Sequence, residues 1–214
     1  APLDIAMQGV LWVHEGEFAA MLGTRREAAR ALANHEYGRI RTLAENWGGD
    51  PRLAALVVAS ITLQGGMPLG ELARQIRADR DVLAVESDAG AVDRIEPVVK
   101  TALSVDVEER LHGIVPDLIG EAFVLNILGD VRPRERQIAW VLDAYEQARF
   151  PVIQSLTHLC QDFADTPEHP ALGWFDAVVE QHADVSALQA IWAGLHQERL
   201  LGQGTVNLRE RRHR

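Results

Sequence analysis

The sequence predicts a mainly α-helical chain: a three-helix unit with room for a short β hairpin, then an antiparallel helical arm or repeat-like bundle. Three observations predict it. Apolar residues recur at helical spacing in nearly every segment. The pair Gly65-Gly66 separates a strongly apolar helix pattern from a short one. Beyond Gly129, helix patterns succeed one another across short connections, which suits antiparallel neighbours.

The elements follow in order. In PLDIAMQGVLWVHEG, Leu3, Met7, Val10, Leu11 and His14 form one stripe. A second helix is expected from Arg25 to Trp47, with Ile40, Leu43, Ala44 and Trp47 as its stripe and Gly48-Gly49 as its end. Asp50-Pro51 reads as a cap followed by a first-turn proline. The helix it opens, PRLAALVVASITLQ, is apolar on most sides and should be buried. After Gly65-Gly66, Pro68 is expected to open a short helix through Arg77, the spacing of a helix-turn-helix core. The stretch from Asp79 to Glu96 reads as acidic and irregular, and Pro97 as the start of PVVKTALS. VDVEERLHGIV then has room for two short β segments around a turn. Three helices followed by a small hairpin make a winged-helix pattern.

In VPDLIGEAFVLNILG, Pro116 and Asp117 suit a helix start, and Gly129 suits its stop. Gly120 lies inside, where it costs about 1 kcal/mol relative to alanine. Asp117 and Glu121 are four apart and share a face. Asp130 to Arg136 reads as a polar linker, and helices are then expected near 134–148, 151–164, 169–182 and 185–200. Pro151 and the TPEHP turn separate them, and no clean repeat period is present. The expected organisation is 1–24 as a terminal helix, 25–130 as the winged-helix-like unit, 131–205 as the arm and 206–214 as a basic tail or linker.

Composition narrows the function classes. The formal net charge of −10 argues against a chain built mainly to bind nucleic acid. Cys160 is the single cysteine, so no internal disulfide is expected and a cytoplasmic setting is the simpler one. No apolar run approaches the ~18 residues of a membrane helix. The N-terminus lacks the basic start of a secretory signal, and the chain begins with alanine. An excised fragment is the expectation.

Each candidate for chemistry has a plainer reading. Asp117 and Glu121 could divide acid and base roles only if their surroundings separate their pKa values. With no nucleophile or metal motif beside them, a helix-start acid plus a hydrogen-bonding acid is favoured. His158 and Asp162 share a helix face while Cys160 points elsewhere, so a buried free cysteine is favoured over a zinc ligand or nucleophile. His14-Glu15 and His35-Glu36 lack the second histidine of HExxH. Phosphate-loop, dinucleotide and nucleophile-elbow motifs are absent from the sequence. Trp12, Trp47, Trp140, Trp174 and Trp192 are widely spaced, and core packing is their favoured role. Arg74, Arg77 and Arg80 are interleaved or followed by Asp79, Asp81, Glu86 and Asp88, which suits a unit used for protein packing better than one that reads DNA. No catalytic residue and no metal site are assigned.

Three passages resemble the regulatory arm of STAND-class signal-transduction NTPases, which include NACHT-type proteins. APLDIAMQGVLWV is similar to the helix after the glycine-any-proline motif that closes the NTPase module. HEYGRIRTLAENWGGDPRLAALVVASITLQGG resembles the opening helices of the winged-helix domain, and VPDLIGE the Met-His-Asp position. LTHLCQDFADTPEHP is similar to the helical arm ahead of repeats. The resemblance covers most of 1–170 and implies that Pro2 lies on the adenine side of a nucleotide held upstream. It places Pro116 where the family has the histidine that senses the β-phosphate, and proline has no side-chain donor. His112 is nearby, with nothing to assign it that role.

The resemblance further implies a non-catalytic arm that couples nucleotide state to partner binding or self-association. ATP or ADP and Mg would be held by an NTPase module acting in cis. Pro116, Asp117, Gly120 and Glu121 would form the regulatory interface, with Gly120 admitting a neighbouring helix or the module itself. A self-standing winged-helix DNA-binding regulator with a helical effector or dimerisation domain is the alternative, and a helical protein-interaction scaffold a third.

Overall fold

A computed structural model of the chain describes residues 25–83, 90–115, 117–163 and 170–182. The expectations at 1–24, including Pro2, at Pro116, at 185–200 and at the basic tail lie outside the described residues. The described part is mainly helical, with eight α-helices and one two-stranded sheet.

Helix α1 spans Arg25–Asn46 and α2 spans Pro51–Leu63. Asp50 caps α2 by accepting from the backbone N–H of Arg52 at 2.7 Å and of Leu53 at 3.2 Å, and Pro51 follows at the first turn. The apolar sequence of α2 makes it the central rod: Leu53 through Ile61 and Leu63 are all buried. Trp47, expected on the stripe of α1, lies just past the helix end and is 52% exposed.

Gly65 and Gly66 take φ of +67° and +105°, the left-handed region that favours glycine. A Cβ on Gly66 would sit 2.6 Å from the Leu111 carbonyl oxygen, so the turn needs glycine for space as well. It delivers β1, Met67–Pro68, into antiparallel pairing with β2, Arg110–Leu111. Pro68 both ends that strand and caps the helical turn that follows, so it stands at the start of the helix as expected. A 3-10 turn, Leu69–Glu71, leads into α3, Leu72–Leu83, which continues well past Arg77.

Helix α4 spans Ala91–Ala102, with Pro97 inside it. Buried Ile95, Val98 and Val99 flank that proline, so packing of the stripe decides the helix start. An isolated bridge from Val105 to Leu111 then forms a small hairpin with β2. Asp106 closes its turn by accepting from the N–H groups of Glu108 and Arg110.

Helix α5, Asp117–Gly129, lies against both α1 and α2, and these three make the largest helix contacts. Helices α6, Arg134–Gln147, α7, Arg149–Asp162, and α8, Ala171–Gln181, pack on one another. The connection after Gly129 is not uniformly polar: Val131 is buried, and Gln137 Nε2 donates to its carbonyl at 2.8 Å. One hydrophobic core runs from α1 to α8 across the expected boundary at 130/131. Trp140 and Trp174 are buried in it. No described helix is long and apolar enough to cross a membrane.

Candidate functional site

The first turns of α5 and the middle of α7 enclose a cleft of about 150 Å³. Asp117 and Glu121 both line it, as their spacing on one helix face requires. From α7 come Ser155 and His158, and the apolar floor includes Val124 and Leu159. Ser155 also ties α7 to α2, its hydroxyl donating to the Leu63 carbonyl at 3.1 Å.

Glu121 is the unusual member. Its side chain is only 7% exposed, and its Oε1 lies 3.3 Å from His158 Nδ1. Its Oε2 receives no hydrogen bond. Burial pushes its pKa up to about 8, and the charge of Asp162, a hydrogen bond shared with it and the charge of Asp117 act in the same direction. Arg25 on α1 opposes them. Near neutral pH the carboxyl therefore carries a proton and can share it with Asp162.

Gly120 lies against Thr62 and Ile114, which also line the cleft. A Cβ there would meet the Ile114 carbonyl oxygen at 2.6 Å and Thr62 Cγ2 at 2.8 Å. The close neighbours it admits are the chain's own α2 and the segment between β2 and α5. A Cβ on Gly113 would sit 2.7 Å from the Cα of the same threonine. Thr62 Oγ1 accepts from the Ile114 N–H at 3.1 Å and donates to the Val58 carbonyl at 2.8 Å.

The remaining candidates separate. His158 faces Glu121, whereas Cys160 is buried and does not line the cleft. Among the described residues, no group of three or more His, Cys, Asp or Glu is placed to hold a metal ion. Glu36 pairs with Arg39 at 2.7 Å. His112 pairs with Asp106 at 2.9 Å on the hairpin, away from the cleft. The backbone N–H of Arg110 is the main cause holding the Asp106 carboxyl below its usual range.

Asp79 corrects the reading of the acidic stretch. It is not a surface charge but fully buried. It accepts from Ser60 Oγ at 2.7 Å, Gln75 Nε2 at 3.0 Å and Trp140 Nε1 at 2.7 Å. Burial raises its pKa to about 7 despite those three bonds. A sequence signal existed: Leu72, Gln75, Ile76 and Asp79 recur at one helical face, and all four are buried. Arg74 and Arg80 pair with Glu71 and Asp81, so neither points alone into solvent.

Comparison with family models, with curated proteins and with solved structures finds no match to this chain.

Proposed function

We propose that this chain is the non-catalytic regulatory arm of a cytoplasmic STAND-type switch. It would couple the nucleotide state of an NTPase module acting in cis to partner binding or self-association. The order α2, β1, α3, α4, bridge, β2 supports a winged-helix unit in 25–130. The stacked α6, α7 and α8 support a helical arm after it.

The observation that carries the reading is the seam at Glu121. Asp117 and Glu121 lie on the helix that resembles the family's Met-His-Asp helix, and the cleft they line faces α7 of the arm. Glu121 meets the arm through His158 and Asp162, polar contacts that a two-state element can exchange. The described polar groups of α5 here are acids, which repel phosphate. The role this supports for α5 is contact between parts, with ATP or ADP and Mg held upstream.

Charge favours this over duplex binding. Helix α4 carries Asp93 and Glu96 against Arg94 and Lys100, and the hairpin turn carries Asp106, Glu108 and Glu109. A DNA-reading face needs a basic surplus.

Sequencing the parent reading frame on both sides tests the reading. A phosphate-binding loop upstream, with nucleotide-dependent hydrogen exchange at the α5–α7 seam of the full-length protein, is expected. A start codon just before Ala1 and a stop just after Arg214 would overturn it.

A further inference from the structure

We propose that a second cleft, at the C-terminal end of α5, is a binding site for a free α-amino acid with a large apolar side chain. It has a volume of about 260 Å³ and is lined from α1, α2, α5 and the end of α3. Helix α5 starts beside the end of α2 and finishes beside its start. Gly120 meets Thr62 at one end, and Arg52 and Asp130 line this cleft at the other. No residue lines both this cleft and the one at Glu121.

The floor is apolar, with Leu56, Phe123 and Val131 buried in it. Asn126 Nδ2 donates to Asn34 Oδ1 at 3.1 Å, which joins α5 to α1 at the rim. An apolar cavity of about 150 Å³ takes a benzene ring. The larger volume here takes such a ring together with the α-carbon and its charged groups.

The rim carries one charge of each sign. The Arg52 guanidinium and the Asp130 carboxylate are both exposed and reachable from the cleft. Neither side chain is hydrogen-bonded or ion-paired, with the other or with any other residue. Opposite charges on one rim select what enters. A simple carboxylate is drawn to Arg52 and repelled by Asp130, and an amine the reverse. A zwitterion satisfies both: the planar guanidinium suits its carboxylate, and Asp130 accepts from its ammonium. In a free amino acid both charges sit on the carbon that bears the side chain. In a peptide at least one of them is lost to the amide bond, so a chain end fits less well. The proposal goes beyond the switch reading: it concerns this chain alone and needs no upstream module.

L-phenylalanine, added to the full 214-residue chain at pH 7, is the probe. Titration calorimetry should show saturable one-to-one binding with a dissociation constant on the order of 1 mM. Phenethylamine lacks the carboxylate and 3-phenylpropionate lacks the ammonium. Each should bind at least about tenfold more weakly. Arg52→Gln and Asp130→Asn change exposed groups without partners, so both should fold and melt as wild type does. Each should lose at least about tenfold in affinity for L-phenylalanine. Absence of saturation, or equal binding of phenethylamine or 3-phenylpropionate, would overturn the proposal. Equal affinity in either variant would also overturn it, by showing an ordinary solvated charge at that position. None of these outcomes bears on whether an NTPase lies upstream.

Discussion

The indole N–H of Trp140 donates to Asp79 Oδ1 at 2.7 Å, joining α6 to α3 inside the core. The bond crosses from the helices of 25–130 to those that follow. Ser60 and Gln75 complete the shell around the same carboxyl, so three donors from three helices converge on one buried acid. Such a fully partnered polar group specifies how the two parts meet, which apolar contact alone does less sharply. The packing of α6 is thus set by a group whose protonation changes near neutrality.

Stability should fall as pH rises from about 4 to 7. Asp79 has a pKa near 7 when folded, against about 3.9 for an unfolded aspartate. Between these values the folded state holds a proton that the unfolded state has lost, so raising pH favours unfolding. The shift corresponds to something on the order of 4 kcal/mol, complete above the folded pKa. Asp79→Asn keeps an acceptor for Trp140 and Gln75, and its amide can donate to the Ser60 hydroxyl. Urea midpoints measured from pH 4 to 8 should be flatter for Asp79→Asn than for wild type. Parallel curves would show that Asp79 is not the titrating group.

Asp79→Ala removes the same titrating group but should also destabilise. It leaves the donors of Ser60, Gln75 and Trp140 buried without an acceptor, at a cost of about 3 kcal/mol or more. Trp140→Phe removes one donor and should cost about 1–2 kcal/mol. A double-mutant cycle should give a coupling above about 0.5 kcal/mol, whereas additive losses would mean that the bond contributes little.

The helices were legible where the signal is local. The Asp50-Pro51 start, the glycine pairs and the apolar run of α2 all lie within one element, and the structure has them there. Pro97 misled because a proline states a local preference that packing can override, here through the buried stripe of α4. Asp79 misled for the same reason, since two of its three donors lie 19 and 61 residues away. At the cleft, the shared face of Asp117 and Glu121 followed from helix periodicity. His158 as the partner of Glu121 did not, because only tertiary packing brings α7 to α5.

Glu109 should be a site of easy stabilisation. Its φ is +56°, a left-handed conformation that glutamate rarely adopts and asparagine tolerates. The backbone is held there by its N–H to the Asp106 carbonyl at 3.2 Å and by its carbonyl accepting from Leu69 N–H at 2.7 Å. Glu109→Asn should stabilise by about 0.5–1 kcal/mol, and Glu109→Val should destabilise. Thermal melting of the two variants should straddle wild type.

The cap of α2 gives a local test. Asp50→Ala removes the acceptor for two backbone donors and should cost about 1 kcal/mol. Hydrogen exchange should quicken first at the amides of Arg52 and Leu53. Unchanged protection there would mean that burial of α2 alone fixes its start.

Gly120 and Gly38 should answer the same substitution with opposite signs. The close neighbours of Gly120 belong to this chain's own core, so a side chain there acts on folding. Alanine normally gains about 1 kcal/mol over glycine inside a helix. At Gly38 in α1 nothing lies within 4 Å of the new Cβ, so Gly38→Ala should raise stability by up to about 1 kcal/mol. At Gly120 the new Cβ meets a backbone oxygen at 2.6 Å, and backbone cannot rotate away. The overpacking of about 1–3 kcal/mol should exceed the propensity gain, so Gly120→Ala should lower stability. Thr62→Ser in that background removes the Cγ2 contact but keeps the hydroxyl that holds the Ile114 N–H, so it should recover part of the loss. It cannot recover all, because the Ile114 oxygen remains. Denaturant midpoints of the three variants decide the matter, and a stabilised Gly120→Ala would mean that α5 can shift outward from α2.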